Sequence, residues 1–330
     1  MENGPYFFYV IFLIKLLIYY IANGCLVMLK EILPEVIWNS ISLLNMEFLQ
    51  EIRLRVGKPI IVRIGGVNQF LSLSGVTDNE SGALIARKSN IVEILNKCSN
   101  NSLYTINDEI INGYISVYGG IRIGVCGEVV SDGNKIQTQK NITSLNIRVP
   151  HEIKNCSLQV FNLLVNNGQV KNTLIISSPG MGKTTFIRDL AYQISNKLVR
   201  TNTLIVDERG EITGISGGVY AFDTINADVY INCSKLYGFT NGIRSMRPDV
   251  IITDEINLEK DLSVIENAMT SGVKVIATIH ASGINELRSK KAFLSILQSK
   301  LFERFVVLND DNGVGTIAGV YNSNLSCIYV

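Results

Sequence analysis

At 330 residues the chain is about twice a typical domain length, which predicts two domains and ample material for buried cores. A hydrophobic fraction of 47% with 18% charged residues excludes a disordered or collagen-like polymer, and a mean hydropathy of +0.24 raises the question of a membrane segment. Thirty Lys+Arg against 29 Asp+Glu leave a net charge of +1, so the overall balance gives no sign of a nucleic-acid or other polyanionic partner.

The first distinctive stretch runs from Tyr6 to Ala22, YFFYVIFLIKLLIYYIA, 17 residues with a single charge at Lys15. It stands at the lower limit for crossing about 30 Å of hydrocarbon, and a central lysine costs roughly 2.5 to 3.5 kcal/mol on insertion scales. No basic stretch precedes it and no small-residue cleavage pattern follows at Asn23 to Cys25, which speaks against a secretory signal. Three readings stand: a single membrane anchor, a packed helix, or an upstream stretch ahead of a start at Met28, where the amphipathic MLKEILPEVIWNSI begins. Residues 1–29 are therefore set apart as a hydrophobic N-terminal helix.

Leu33, Val36, Ile37, Ile41 and Leu44 recur at helical spacing behind Pro34, and predict a short helix. EIRLRVGKPIIVRIGG then alternates charged and apolar residues at period two around Gly57-Lys58-Pro59, the pattern of a half-buried antiparallel hairpin. Ile91, Ile94, Leu95 and Cys98 predict another helix, and YISVYGGIRIGVCGEVV and SLNIRVP read as strands. Residues 30–150 thus form a small α+β domain, with Pro150 and the following HEIKN as linker and His151 as a structural residue in it.

From there to residue 330 short apolar runs alternate with helical patterns: TLIIS, TLIVD, DVIITD and VKVIATIH. Near-continuous apolar strands imply burial on both faces, hence a mostly parallel sheet with helices on each side. Leu258, Leu262, Ile265 and Met269 mark the face of one such helix, and FVVL and TIAGVY read as edge strands. The six cysteines, Cys25, Cys98, Cys126, Cys156, Cys233 and Cys327, show no CxxC and have two histidines at most to complete a metal site, which predicts reduced thiols in a cytosolic body.

Directly after the first buried run stand Ser177, Ser178, Pro179, Gly180, Met181, Gly182, Lys183, Thr184 and Thr185, followed by a helical pattern. In a G-x-x-x-x-G-K-[ST] loop the glycines let backbone N–H groups converge on phosphate oxygens, the helix N-terminus adds positive charge, the lysine reaches the β/γ-phosphates and the hydroxyl ligates Mg²⁺. Ser177 departs from that pattern at its first glycine, the position farthest from the Gly-Lys-Thr end.

Two further runs end in carboxylates, Asp207, Glu208 and Glu211 after TLIV and Asp254 and Glu255 after VIIT. In a parallel sheet these ends share an edge with the phosphate loop. Asp254, with Asp207 and Thr184, is the candidate for holding Mg²⁺ and its water shell, and Glu255 the candidate that polarises the attacking water. His280 closes VKVIATIH at the same edge, where it reads as a γ-phosphate or product sensor.

The order of these boxes, SSPGMGKTT, VDERGE, IRSMRPDVIITDE and ATIH, resembles the secretion-type ATPases of type II and type IV secretion and pilus retraction. From Met28 onward, through EIRLRVGKPI, SLYTINDEIINGYISVYGGIRIGVCGEVV, DERGEI and RPDVIITDEI, the chain is similar to the stage III sporulation protein AA family of endospore-forming bacteria. That resemblance implies a RecA-like P-loop ATPase that hydrolyses Mg-ATP as a homo-oligomeric, hexameric ring. It also implies a cytoplasmic place at the membrane and membrane-embedded channel proteins of sporulation as partners. It gives family roles to Lys183, Thr184, Asp254, Glu255 and His280, matches Asp207, Glu208 and Glu211 to an acidic box, and makes Arg122 and Arg148 candidates for arginines that reach a neighbouring subunit's phosphate. Asp254 stands where many secretion ATPases have Gly, which points to a more RecA-like metal site. The rival readings are a nucleotide-gated scaffold with little turnover and a RecA-type nucleic-acid motor, the latter disfavoured by the neutral charge and the lack of a basic aromatic groove.

Overall fold

A computed structural model describes residues 24–330 except 100–105, 134, 152, 199, 216–219, 221, 223–225, 290, 312 and 314. The apolar run at 6–22, and with it the expected hydrophobic helix, lies outside the described residues. Among the described residues no helix is long and apolar enough to cross a membrane. They divide into two compact units, one running to residue 151 and taking in 214–223, the other spanning 152–213 and 224–330.

The first unit is built on a seven-stranded sheet of β1 (Leu49–Arg55), β2 (Ile61–Ile64), β3 (Val67–Ser72), β4 (Gly75–Thr77), β5 (Tyr114–Val117), β6 (Ile121–Asp132) and β7 (Lys135–Arg148). The order is β4-β3-β2-β1-β7-β6-β5, antiparallel at every pairing. The period-two alternation of EIRLR buries Ile52 and Leu54 and leaves Glu51, Arg53 and Arg55 on the other face. The expected hairpin forms between β1 and β2, with Arg53 opposite Ile61. Gly65 and Gly66, both at positive φ (55° and 85°), close the next hairpin as a two-residue turn. Helices Gly24–Ile32, Glu35–Ile41 and Lys88–Cys98 supply Leu29, Ile37, Ile91 and Ile94 to the same core as Ile52, Ile123 and Ile147.

The second unit begins with a short helix, Leu158–Leu164, and a small hairpin of β8 (Val165–Asn166) and β9 (Gln169–Val170) turned on Asn167-Gly168. Its main sheet comprises β10 (Thr173–Ser177), β11 (Thr203–Asp207), β12 (Asp228–Ile231), β13 (Val250–Glu255), β14 (Lys274–His280), β15 (Arg304–Asn309), β16 (Thr316–Asn322) and β17 (Cys327–Tyr329). The order β12-β11-β13-β14-β10-β15-β16-β17 is parallel through β15 and antiparallel beyond it. FVVL and TIAGVY therefore lie in internal strands, β15 and β16, each paired on both sides; the edge beyond them is β17, too short and too exposed to leave a pattern in the sequence. Alternate residues of the apolar strands enter separate cores. Leu174, Ile176 and Val206 pack with Phe239, Ile265 and Phe305, while Ile175, Ile205 and Ile252 pack with Phe186, Leu190 and Ile194. Cys98, Cys126, Cys156, Cys233 and Cys327 are free thiols.

At the amino edge of this sheet Glu303 accepts from Lys171 Nζ (3.0 Å), the Asn172 N–H (3.1 Å) and Lys274 Nζ (3.1 Å). Asn172 completes the clamp, accepting from Val275 N–H and donating to the Leu301 carbonyl. Burial alone would raise the Glu303 carboxyl, but Lys171, the Asn172 amide and Lys274 outweigh it and hold it below its ordinary 4.5. A depressed carboxyl contributes stability above its unfolded value that is lost as pH falls through the folded one. Glu303→Gln is therefore expected to destabilise the second unit by about 1–2 kcal/mol at pH 7 in chemical denaturation, with the difference from wild type shrinking below pH 4.5; a difference constant from pH 7 to pH 3 would contradict this role.

Candidate functional site

Parallel pairing sets Ser177 beside His280 and Val206 beside Thr253, so the ends of β10, β11, β13 and β14 lie along one edge. The loop after β10 turns through Gly180 and Gly182, at φ +77° and +82°, and Gly182 caps the helix Lys183–Lys197 in the left-handed conformation that glycine adopts without strain. Ser177 is fully buried, and its hydroxyl donates to the Ser178 carbonyl at 3.1 Å. Lys183 folds back on its own loop, donating to the carbonyls of Ser177 (2.8 Å) and Ser178 (3.1 Å). Burial pulls the Lys183 ammonium below the ordinary lysine value, and the nearby Glu255 and Glu211 oppose that pull.

The loop after β11 is folded around Asp207. Its fully buried carboxylate accepts from the N–H groups of Glu211 (2.9 Å), Ile212 (3.0 Å) and Thr213 (2.9 Å) and from the Thr213 hydroxyl (2.9 Å). Both of its oxygens are thus committed to the loop, an arrangement that fits a structural anchor and not the metal ligand expected from the sequence. From the other side the buried Arg188, one turn along the helix from Thr184, donates to the carbonyls of Glu211 (2.6 Å) and Ile212 (2.9 Å). The loop so held presents two acids in different directions. Glu211 meets the Thr184 hydroxyl at 3.5 Å, and Glu208 meets the ammonium of Lys235 at 2.6 Å.

Lys235 also touches Asp254, at 2.7 Å, while the other oxygen of Asp254 accepts from the Arg209 N–H at 3.2 Å. Burial would lower the Lys235 ammonium, but Asp254 and then Glu208 outweigh it and hold it above its ordinary value. Burial raises the Asp254 carboxyl, to about 6, against the pull of Lys235. Glu255, next in the strand, is exposed. Lys183, Thr184, Glu211, Asp254 and Glu255 line a small cavity of about 30 Å³. Beside it Glu208, Glu255, Asp261 and His280 border an open cleft of about 810 Å³. The Thr184 hydroxyl and the Glu211 carboxylate on this cavity are hard oxygen donors of the kind that suits Mg²⁺.

The second unit thus brings together Ser178, Pro179, Gly180, Met181, Gly182, Lys183, Thr184 and Thr185 with both acid clusters and His280. Arg122 and Arg148 belong to the first unit, where they stand directly opposite each other on β6 and β7. Arg122 stacks on the Tyr114 ring at 3.7 Å, and Arg148 lies across from Glu51 on β1. His151 Nε2 lies 2.6 Å from the Leu49 carbonyl, which requires its proton on that nitrogen. Sequence reasoning missed Arg188 and Lys235. Lys235 carried a signal, since a cation in the first turn behind the Ser234 cap opposes the helix dipole.

Over residues 27–328 the chain matches the family described as Sporulation stage III, protein AA. It is 31% identical over 304 residues to stage III sporulation protein AA of Bacillus subtilis, covering 90% of this chain and 95% of that one. It is 29% identical over 150 residues to the uncharacterized protein ycf45 of Cyanidium caldarium, covering 44% and 43% of the two chains. Among solved structures it resembles the ATPase DotB of Yersinia pseudotuberculosis, with a TM-score of 0.53 at 14% identity over 83% of this chain and 76% of that one, a likeness of fold.

If Asp207 anchors the loop, Asp207→Asn should leave one oxygen to accept and turn an NH₂ toward its former donors, lowering the stability of the second unit by about 3 kcal/mol in urea unfolding. Full stability combined with weakened Mg²⁺ binding would return Asp207 to the metal.

Proposed function

The chain belongs to the stage III sporulation protein AA family, and on that premise we propose that it binds Mg-ATP at the carboxyl edge of β10 and hydrolyses it to drive assembly of, or transport through, a membrane-spanning channel during sporulation. Lys183 carries this reading. Its ammonium rests on two loop carbonyls that triphosphate oxygens would replace, beside a glycine-turned loop whose amides form an anion cradle.

Thr184 and Glu211 are the residues that would hold Mg²⁺, with Asp254 on the same cavity wall. An ion bound there would supply positive charge against the phosphates. Glu255, exposed where cavity and cleft meet, orients the attacking water and takes its proton. Glu208 is committed to Lys235, so it supports the edge instead of serving as base. His280, paired in register with Ser177, senses the γ-phosphate. We assign Arg122 and Arg148 to a neighbouring subunit's phosphate within a hexameric ring. The ring works on the cytoplasmic side of the membrane, on channel proteins and not on nucleic acid.

Lys183→Ala should abolish ATP binding measured by calorimetry; an unchanged affinity would remove the phosphate-loop assignment. Glu255→Gln keeps its shape but not its charge, so ATP should still bind while turnover falls about a hundredfold or more. Turnover equal to wild type would move the base to Glu211, and binding without turnover in wild type itself would favour a nucleotide-gated scaffold.

The arginines are tested by mixing inactive Lys183→Ala with inactive Arg122→Ala or Arg148→Ala. Some interfaces then pair an intact loop with an intact arginine, and partial recovery of phosphate release is expected. No recovery at any ratio, with subunit exchange demonstrated, would sink the assignment in trans.

A further inference from the structure

The ion pairs of Lys235 are unusual in position and depth. The residue opens the helix Lys235–Met246, where a positive charge is least favoured, and its side chain is 1% exposed. Two glycines carry that first turn to the sheet edge by letting the helix press against β11. A Cβ added at Gly238 would come within 2.5 Å of Val206 Cγ1, and one at Gly242 within 2.2 Å of Leu204 Cδ2. The ammonium so delivered lies between two carboxylates from different strand ends, Glu208 at 2.6 Å after β11 and Asp254 at 2.7 Å in β13. Converging carboxylates are the ordinary setting of a divalent cation. Yet among the described residues no group of three His, Cys, Asp or Glu is disposed to hold one.

We infer that Lys235 is a fixed internal cation that fills, between Asp254 and Glu208, the place a divalent ion would otherwise take. It joins the ends of β11 and β13 without metal and turns Asp254 into a positioning residue. The only divalent ion left to the edge is then the one beside Thr184. This last step rests on the nucleotide reading above; the lysine's role does not. An ammonium with two acceptors needs neither the water shell nor the octahedral geometry that Mg²⁺ demands, so the edge keeps its shape at any Mg²⁺ concentration.

The test is a Mn²⁺ titration of the full chain without nucleotide, followed by electron paramagnetic resonance of the free ion. Lys235→Ala, which leaves two facing carboxylates, should gain Mn²⁺ binding roughly tenfold or more tighter than wild type. Lys235→Arg, which keeps the charge, and the double variant Lys235→Ala/Glu208→Gln, which removes one carboxylate, should not gain it. Equal binding by wild type and Lys235→Ala overturns the inference, as does a gain in Lys235→Arg or an undiminished gain in the double variant. Should Lys235→Ala be unfolded in metal-free buffer, return of its native near-ultraviolet circular dichroism on adding Mn²⁺ supports the inference, and a chain that stays unfolded refutes it. No nucleotide enters the measurement, so a failure of the ATPase reading would leave its outcome intact.

Discussion

Parallel strand pairing is the constraint on which the candidate site depends. It sends the carboxyl ends of β10, β11, β13 and β14 to a single edge, so residues separated by about a hundred positions in sequence become neighbours there, as Ser177 and His280 do in register. The pairing of β13 with β14 shifts between Ile252 and Glu255, and Glu255 comes to face Thr278. Asp254 is buried against Lys235 while Glu255 is open to the cleft, so two adjacent acids enter different environments. That division gives one a structural task and the other access to solvent.

Buried charge makes the edge rigid. A buried ion is costly to hold without hydrogen-bond partners, and each one here has at least two. Asp207 takes three amides and a hydroxyl, Arg188 gives to two carbonyls, and Lys235 lies between two carboxylates. Together they fix both ends of the loop after β11. Its two outward acids are aimed before any ligand arrives, Glu211 at Thr184 and Glu208 at Lys235. Removing any member would strand the polar groups it bonds, which ties the shape of the site to the stability of the second unit.

The first unit follows a different rule. Its antiparallel strands bury one face, and the other carries a cross-strand row of Glu51, Arg148 and Arg122. Like charges directly opposite each other destabilise a sheet. Here Tyr114 takes up the guanidinium of Arg122 on its ring, and Glu51 stands across from Arg148 while also binding Arg53 at 2.9 Å. This face concentrates positive charge in a chain that is close to neutral as a whole.

The sequence by itself determined whatever depends on local pattern. Period two in EIRLR and PIIVRI set the hairpin of β1 and β2 because only alternate side chains can be buried on one face. Unbroken apolar runs set β10, β11, β13 and β14 because both faces of those strands are covered. The glycines and lysine of the loop after β10 were legible because their spacing is itself the geometry. The tertiary structure alone decided the surroundings of each acid: Glu208 and Asp254 meet Lys235 from another element, Asp207 is closed in by the loop that follows it, and Glu255 is left exposed. It also brought in Arg188 and Lys235, whose meaning lies in the helix surfaces that press them against other strands' ends. Even the place of FVVL, inside the sheet and not at its edge, followed from β16 and β17 adding beyond it. A run of residues records how much of itself is buried, but not what covers it.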